Sequence, residues 1–261
     1  MSEIISLINL KGGVGKTVSS INLAYSFAEY GKKVLIVDTD SQGNIATSLG
    51  IDADGLKYTL YDLMNESIDR DVTESRVREC ILQVSEVDIL PSNSLLASIE
   101  YKLMTAFGRE NVLKSILEKV TGDYDYIIID CPPSLGLIVT NALVASDCVL
   151  IPVEAHYLSF ESLKVMLGTI EMVKLKLNPN LKIAGVFLTM YQPRTKLSKG
   201  IKEKLCEIYG DDINVFDEYI PYSIKAAEQT LYGKSLIELD KTHPISLAYL
   251  KIAKELMQNS K

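Results

Sequence analysis

The sequence of 261 residues contains no tryptophan, only two histidines and only four cysteines. The cysteines, at positions 80, 131, 148 and 206, form no Cys-x-x-Cys pair and have no histidine cluster nearby, so we expect free thiols and no zinc site. No apolar run approaches the roughly 18 residues that cross a bilayer, which excludes a membrane-spanning protein. Lys and Arg number 27 against 34 acidic residues, a net charge of −7. Binding to nucleic acid therefore requires a local basic patch.

The remaining composition is that of a globular protein. Hydrophobic residues make up 47% and charged residues 23% of the chain, which excludes disorder, collagen and a coiled coil. Residues 1–9 carry no basic segment before the apolar residues, so we predict no signal peptide and a cytoplasmic protein. No Pro-rich or Ser-rich linker and no internal repeat interrupts the chain. We therefore expect residues 1–261 to form a single domain.

Short apolar segments alternate with helical patterns along most of the chain. Unbroken apolar runs are typical of parallel strands buried on both faces, and the sequence predicts such strands at 4–9, 34–37, 87–90, 126–130, 148–153 and 183–190. This alternation predicts an α/β fold, a mostly parallel twisted sheet with helices on both faces. We expect short helices between 50 and 86, including one at 56–63. A last helix at 245–258 is expected to pack an apolar face against the sheet through Leu247, Leu250, Ile252, Ala253, Leu256 and Met257.

A glycine-rich segment follows the first predicted strand, with the sequence Lys11-Gly-Gly-Val-Gly-Lys-Thr17. Its end matches the common phosphate loop, Gly-x-x-x-x-Gly-Lys-Thr, whose backbone N–H groups surround phosphates. In that loop the lysine neutralises the phosphates and the threonine hydroxyl binds Mg²⁺. Leu10 stands where the first glycine belongs, and Lys11 is an additional lysine. The strand before the segment and the helix after it provide the context of a phosphate site, so we expect nucleotide binding.

This segment resembles the deviant Walker A signature of the ParA/MinD superfamily of P-loop NTPases. The resemblance implies an ATPase in which Lys11 reaches across a nucleotide-sandwich homodimer to the phosphates of the partner's ATP. A cation supplied in this way acts like an arginine finger, because phosphoryl transfer depends on positioning and charge neutralisation. Dimerisation on ATP binding would then switch on hydrolysis. The resemblance assigns catalysis to Lys11, Lys16 and Asp40, and ATP binding to Lys11, Gly12, Gly13, Val14, Gly15, Lys16, Thr17 and Val18.

Two predicted strands end in aspartates. Residues 127–130 are typical of a Walker B strand, and the resemblance implies that Asp130 and Thr17 hold Mg²⁺. The segment 37–44, Val-Asp-Thr-Asp-Ser-Gln-Gly-Asn, resembles a family switch in which Asp38 supports the Mg²⁺ shell and Asp40 positions the attacking water. Alternatively, both aspartates only cap the next helix, as Asp often does after strands. Because no His or Cys nearby offers a stronger base, we expect slow hydrolysis.

The second half of the chain is similar to chromosomal and plasmid ParA/Soj partition ATPases. The residues that carry the likeness are 124–137, 141–143, 145–147, 151–153, 188–190, 194–195 and 220–221. In such proteins the Ile-Pro segment and the next residues line the adenine, which implies that Pro221 and Ser223 contact the base. The chain departs from the family pattern Ile-Pro-Arg-Asn-x-Arg at 220–225, although Lys225 keeps a positive charge.

A basic segment lies at 194–204, with five cations against one anion. Apolar residues at helical spacing are expected to pack inward and leave the lysines outward, namely Leu197, Ile201, Leu205 and Ile208. A face of this kind is usually only solvated, but the resemblance implies non-specific binding to double-stranded DNA. The DNA-binding residues implied are Arg194, Lys196, Lys199, Lys202 and Lys225. Because a dimer doubles the phosphate contacts of a monomer, dimerisation on ATP would raise DNA affinity.

The resemblance therefore predicts a nucleoid-associated partition ATPase that is stimulated by a ParB-type centromere-binding protein. A ParA-like ATPase that positions another cargo has the same motifs and is the main alternative. A MinD-like membrane ATPase requires a basic amphipathic tail, whereas the sequence stops soon after the last helix. An electron-transfer ATPase like the nitrogenase iron protein requires paired cysteines for its cluster. Because the chain starts at the phosphate-loop strand, we expect no N-terminal helix-turn-helix extension and no operator binding.

Overall fold

The computed structural model describes residues 2–53, 55–157 and 159–259. Over these residues the chain forms seven strands in one sheet: β1 (Glu3–Leu7), β2 (Val34–Asp38), β3 (Leu82–Val84), β4 (Val87–Leu90), β5 (Tyr126–Asp130), β6 (Cys148–Glu154) and β7 (Lys182–Thr189). Every strand predicted from the sequence is present close to its expected bounds. The strand that the sequence did not predict is β3, which is too short to show a hydrophobic period.

The strand order is β3-β4-β2-β5-β1-β6-β7, and every pair is parallel except β3 with β4. This confirms the α/β fold with a mostly parallel sheet. β3 and β4 form a hairpin whose turn includes Ser85 in a left-handed conformation, with φ of 56°. Positive φ values match the twist of a tight hairpin turn, so β4 acquires an antiparallel partner at the edge of the sheet.

Helices and one 3₁₀ segment connect the strands. The 3₁₀ segment is Ser94–Ser98, and the α-helices in the described parts of the chain are α1 (Lys16–Glu29), α2 (Asn44–Ser48), α3 (Leu60–Asp69), α4 (Glu74–Glu79), α5 (Ile99–Leu103), α6 (Val112–Leu117), α7 (Leu137–Ala145), α8 (Ser159–Lys176), α9 (Lys196–Tyr209), α10 (Lys225–Tyr232), α11 (Leu236–Leu239) and α12 (Pro244–Asn259). The helix predicted at 56–63 begins later, at Leu60. Thr59 is the N-cap residue of this helix, and its backbone N–H donates to Asp62 Oδ2 at 2.8 Å in a capping box.

The helices cover both faces of the sheet. Alternate residues of β1 enter different hydrophobic clusters, Ile4 on one face and Ile5 on the other, as the two-residue period of a strand requires. α12 packs against α1 on the second face. Its buried residues are Ile245, Ser246, Ala248, Tyr249, Ile252, Ala253 and Leu256. The expected inward position of Leu247 is wrong, because that side chain lies on the outer side of the helix and is 44% exposed.

The carboxyl ends of the parallel strands meet at one edge of the sheet. β2 and β5 are in register, so Asp38 at the end of β2 lies opposite Asp130 at the end of β5. β1 pairs with β5 on its other side, which places the segment after Leu7 beside Asp130. Loops at such an edge are the usual ligand site of an open α/β sheet.

Candidate nucleotide site

The glycine-rich loop runs from the end of β1 to the start of α1. Gly13 and Gly15 have φ values of 75° and 84°, in the left-handed region that favours glycine. Gly15 directly precedes α1, and no side chain caps the first N–H groups of that helix. These free donors and the positive end of the helix dipole face the loop. The loop is therefore built to receive an anion.

The ammonium group of Lys16 lies inside this loop. Its Nζ donates to the backbone oxygens of Asn9 at 3.0 Å and Lys11 at 3.3 Å. The side chain is buried, and burial lowers the pKa of Lys16, while the nearby carboxylate of Asp130 opposes that shift. Two backbone carbonyl oxygens of the loop thus bind the ammonium group of Lys16 in this structure. Phosphate oxygens of a bound ligand could take their place.

Lys11 does not line the cleft in front of the loop. Its ammonium contacts the carboxylate of Glu154, the last residue of β6, and both side chains are about one third exposed. Its backbone N–H donates to Oδ1 of Asn9 at 2.9 Å. Sequence reasoning missed Glu154 and Asn9. An acid at the carboxyl end of a predicted strand was the available signal for Glu154.

Asp130 is joined to the first turns of α1. Thr17 Oγ1 donates to its Oδ2 at 2.7 Å, and Ser20 Oγ donates to its Oδ1 at 2.8 Å. Burial raises the pKa of Asp130 to about 6, although these two hydrogen bonds favour the ionised form. Sequence reasoning missed Ser20.

Asp38 is buried beside Asp130. Its Oδ1 accepts from the N–H of Asp40 at 3.0 Å, and its Oδ2 accepts from the N–H of Ile45, in the first turn of α2, at 3.1 Å. Burial, followed by the charge of Asp130, raises the pKa of Asp38 well above its usual range. Two buried carboxyl groups this close repel each other when both are ionised, and a divalent cation would offset that repulsion.

The donor set at this edge fits Mg²⁺. Thr17, Asp38 and Asp130 supply hard oxygen atoms, which Mg²⁺ prefers. No group of three or more His, Cys, Asp or Glu side chains suited to a metal ion occurs in the described portion of the chain. Mg²⁺ needs no such group when phosphates and water complete its octahedron.

Asp40 lies at the mouth of the cleft, partly exposed. Its Oδ1 accepts from the N–H of Gln42 at 3.0 Å, which closes a turn before α2. Together with the bond from Ile45 to Asp38, this contact shows that both aspartates stabilise the loop and the helix start. These structural contacts are compatible with the expected roles of Asp38 near Mg²⁺ and of Asp40 at the attacking water, because each carboxylate has further lone pairs.

A cleft of about 720 Å³ opens in front of the loop. The predicted site residues that line it are Gly12, Gly13, Gly15, Lys16, Thr17, Val18, Asp40, Pro221 and Ser223. Val14 is fully buried behind the loop instead, where its carbonyl oxygen accepts from Thr189 Oγ1 at 2.9 Å. Asp38 and Asp130 are buried beneath the cleft. The structure therefore brings together residues from both halves of the chain.

The far side of the cleft is apolar. Pro221, which was predicted, lies on this side of the cleft. Met190, Tyr222 and Tyr249, which were not predicted, line it as well. Met190 has φ of 51°, a strained value for a residue with a side chain, directly after β7. Strained backbone of this kind persists where the surrounding structure holds a binding surface in place. Apolar walls next to an anion site suit a base joined to phosphates.

The basic segment forms α9, which begins after Thr195 caps it. Arg194, Lys196 and Lys199 are exposed, and no ion pair joins them to an acid among the residues that the structure describes. Lys202 turns aside instead, because its Nζ donates to the backbone oxygen of Asp217 at 2.9 Å. Lys225 Nζ lies 3.1 Å from Asp240 Oδ2.

The apolar face predicted for this helix is wrong at two positions. Leu197 and Ile208 are 56% and 47% exposed, whereas Ile201 and Leu205 are buried. α9 contacts the rest of the protein along a narrow stripe that also includes Ser198. Leu197 and Ile208, at the two ends of the predicted face, therefore lie outside the buried stripe. Lys196, next to Leu197, is exposed to solvent.

All four cysteines are free thiols, and only Cys206 is exposed. Along residues 2–53, 55–157 and 159–259, no helix is long and apolar enough to cross a membrane.

Comparison with known proteins yields the following similarities. Residues 2–183 match a protein family described as AAA domain. The chain is 40% identical to the sporulation initiation inhibitor protein Soj of Bacillus subtilis over 260 residues, which cover 99% of this chain and 100% of Soj. It is 36% identical to the chromosome partitioning protein ParA of Caulobacter vibrioides over 262 residues, covering 99% and 95%.

A solved structure with a similar fold is cobyrinic acid a,c-diamide synthase from Mycobacterium smegmatis with bound ADP and magnesium. The TM-score is 0.86 at 31% sequence identity, covering 100% of this chain and 96% of that one. The likeness in fold therefore extends to a protein that holds a nucleotide and magnesium.

Proposed function

Because the chain belongs to the AAA-domain family and to its ParA/Soj group of P-loop ATPases, we propose that it is a DNA-partition ATPase working as an ATP-dependent homodimer. The observation that carries the proposal is the convergence of Lys16, Asp40 and the Thr17–Asp130 pair on one cleft. Its apolar wall, which includes Pro221, offers a place for adenine, and Ser223 lines the cleft beside it.

In the cleft, phosphates replace the carbonyl partners of Lys16. The N–H groups of the loop and the start of α1 bind the same phosphates, while Thr17, Asp38 and Asp130 hold Mg²⁺. Bound Mg²⁺ supplies charge neutralisation at the transferred phosphoryl group. Asp40 orients the attacking water at the cleft mouth. With no stronger base beside it, this arrangement suits a slow switch rather than a fast metabolic enzyme.

Lys11 acts on a second protomer. It lies outside the cleft of its own subunit, at the rim, so its ammonium does not complete that subunit's phosphate site. In the homodimer it neutralises the phosphates bound by the neighbour, as an arginine finger does. Hydrolysis then depends on assembly, and assembly depends on ATP.

DNA is the partner that the basic face fits. Arg194, Lys196 and Lys199 are exposed and free of acidic partners over the described residues, although the whole protein carries a net charge of −7. A monomer that contacts about three phosphates binds negligibly at physiological salt, whereas a dimer with about six enters the range of non-specific binding. A ParB-type centromere-binding protein stimulates hydrolysis and releases the dimer from the nucleoid.

Co-sedimentation with double-stranded DNA across a salt series tests this proposal. With ATP and Mg²⁺, binding should fall with salt at a slope of about −5 in the logarithmic plot, from about six phosphate contacts. With ADP or no nucleotide, binding should be weak throughout. Equal binding in all three states would contradict coupling of nucleotide to DNA. A parallel arm with anionic lipid vesicles separates a membrane ATPase from a DNA ATPase.

The main rival, positioning of another cargo, is tested by adding a candidate centromere-binding protein. Stimulation of ATP hydrolysis only when its centromere DNA is present supports partition. ATP-dependent DNA binding without any such stimulation favours a cargo other than a replicon.

A further inference from the structure

Lys11 is tied to the end of β6 at two points. Its ammonium contacts the carboxylate of Glu154, and its backbone N–H donates to Oδ1 of Asn9 at 2.9 Å. The amide of Asn9 donates in turn to the backbone oxygen of Pro152 at 2.8 Å. Asn9 is buried, so this link is shielded from water. Both the backbone and the side chain of Lys11 are thus held by the same strand of its own protomer.

We propose that Glu154 is a positioning residue that retains Lys11 in its own protomer until a nucleotide-loaded partner arrives. This inference rests on the proposed function, in which Lys11 neutralises phosphates across a dimer. While the ion pair is intact, the lysine is unavailable to a neighbour. Glu154 therefore sets how much nucleotide and protein are needed before two protomers associate.

The nucleotide weakens this restraint through Lys16. In the structure, Lys16 Nζ donates to the backbone oxygens of both Asn9 and Lys11, at 3.0 and 3.3 Å. When Lys16 turns to the phosphates, the backbone of Lys11 loses one of its contacts. A triphosphate carries more negative charge than one carboxylate, so it attracts the ammonium more strongly when a partner brings it close. Nucleotide binding to one protomer thus weakens the contacts of its Lys11, the residue that neutralises the phosphates bound by the partner protomer.

A purely structural role does not account for the ion pair. β7 pairs with β6 along its whole length, from Cys148 to Glu154, and β1 pairs with its first three residues. The two charged side chains are 31% and 28% exposed, and ion pairs exposed to this degree add little to stability. Removing the carboxylate should therefore leave the fold intact while freeing Lys11.

The test is Glu154→Gln, which keeps the shape of the side chain and removes its charge. The dimer dissociation constant is measured by sedimentation velocity with Mg²⁺ and the non-hydrolysable analogue AMPPNP. Two ion pairs break per dimer, so the variant should dimerise about 5- to 30-fold more tightly than wild type. Its affinity for ADP, measured by calorimetry on the monomer, should stay within about twofold, because Glu154 acts on Lys11 and not on the nucleotide.

The matched control is Glu29→Gln. Glu29 also forms an ion pair, with Lys241, but lies at the opposite end of α1, about 20 Å from the loop. The Glu29→Gln variant should dimerise with the same dissociation constant as the wild type. Glu154→Ala provides a second variant with the same expected result.

The outcomes separate the inference from the function on which it rests. If wild type stays monomeric with AMPPNP at every protein concentration, the proposed function fails. If wild type dimerises and both Glu154 variants match it, only the role of Glu154 is overturned. A gain in ADP affinity as large as the gain in dimerisation would also overturn it, since Glu154 would then act as a general charge near the phosphates.

Discussion

Individual side chains at the carboxyl edge of the sheet are held in an electrostatic balance. Burial disfavours the charge of Lys16 and also the charges of Asp38 and Asp130. Lys16 and Asp130 partly compensate each other, since each favours the charge on the other, whereas Asp130 opposes ionisation of Asp38. An anion at the loop and a cation at the carboxylates would offset these unfavourable terms.

Lys16→Ala should reduce ATP affinity by at least about 100-fold, because a charge-assisted contact to the phosphates is lost. Calorimetry or a fluorescent nucleotide measures the change. Lys11→Ala is the informative comparison, since it should bind ATP nearly as wild type does but remain monomeric. Wild-type affinity in the Lys16 variant would remove this lysine from the phosphate site.

Asp130→Asn should make the nucleotide-free protein more stable near neutral pH. A carboxyl group with a pKa raised from 3.8 to about 6 binds its proton more tightly when folded. Its favourable contribution is present below pH ~4 and is lost as the pH rises through about 6. The stability gap in favour of the variant should thus widen by about 2 kcal/mol between pH ~4.5 and pH ~7.5. Urea unfolding of both proteins at the two pH values checks this, and a constant gap would contradict it.

At the scale of elements, α9 is a basic surface helix that buries three of its fourteen residues. Its buried residues are Ser198, Ile201 and Leu205, whereas the lysines Lys196 and Lys199 in its first turns are exposed. α12, on the opposite face of the sheet, buries a broad side and carries Lys251 in an ion pair with Glu218. A sparsely packed basic helix suits a surface that binds a polyanion.

Arg194→Glu combined with Lys199→Glu should weaken DNA binding at least about 10-fold in the ATP state and make the salt dependence shallower. Dimerisation with AMPPNP should not change. The matched control is Lys251→Glu with Lys254→Glu on α12, which alters the net charge equally. If the control weakens binding as much, net charge rather than α9 determines DNA affinity.

For the molecule as a whole, one sheet edge couples the two halves of the chain. The loop after β1, the ends of β2 and β5 and the segment after β7 all contribute to one cleft. Glu154 at the end of β6 adds the contact to Lys11. Under the proposed function, nucleotide binding, metal binding and release of Lys11 would therefore act on adjacent parts of one sheet.

Asp40→Ala should separate assembly from hydrolysis. ATP binding and dimerisation should persist, while hydrolysis should fall by about 100-fold or more because the attacking water is no longer oriented. The variant should therefore remain on DNA after wild type has been released. Phosphate release and DNA retention over time measure this, and rapid hydrolysis by the variant would remove Asp40 from the mechanism.

Much of the fold and of the phosphate site follows from local chemistry in the chain. Unbroken apolar runs predict buried parallel strands, and the glycine positions of the loop match the positive φ values of Gly13 and Gly15. The same local reasoning did not predict β3, because three residues are too few to show a hydrophobic period. It wrongly predicted that Leu197 is buried, because the hydrophobic pattern does not define where the buried face of a helix ends.

Tertiary structure decided the geometry in which distant residues meet, and it alone revealed that Glu154 contacts Lys11. Lys11 and Glu154 lie 143 residues apart, and Thr17 and Asp130 lie 113 residues apart. Their contacts depend on the strand order β5-β1-β6 and on the register of each pair, which arise from packing over the whole sheet. A side-chain period or a turn is fixed by a few neighbours, whereas an ion pair across strands requires every intervening element to be in place.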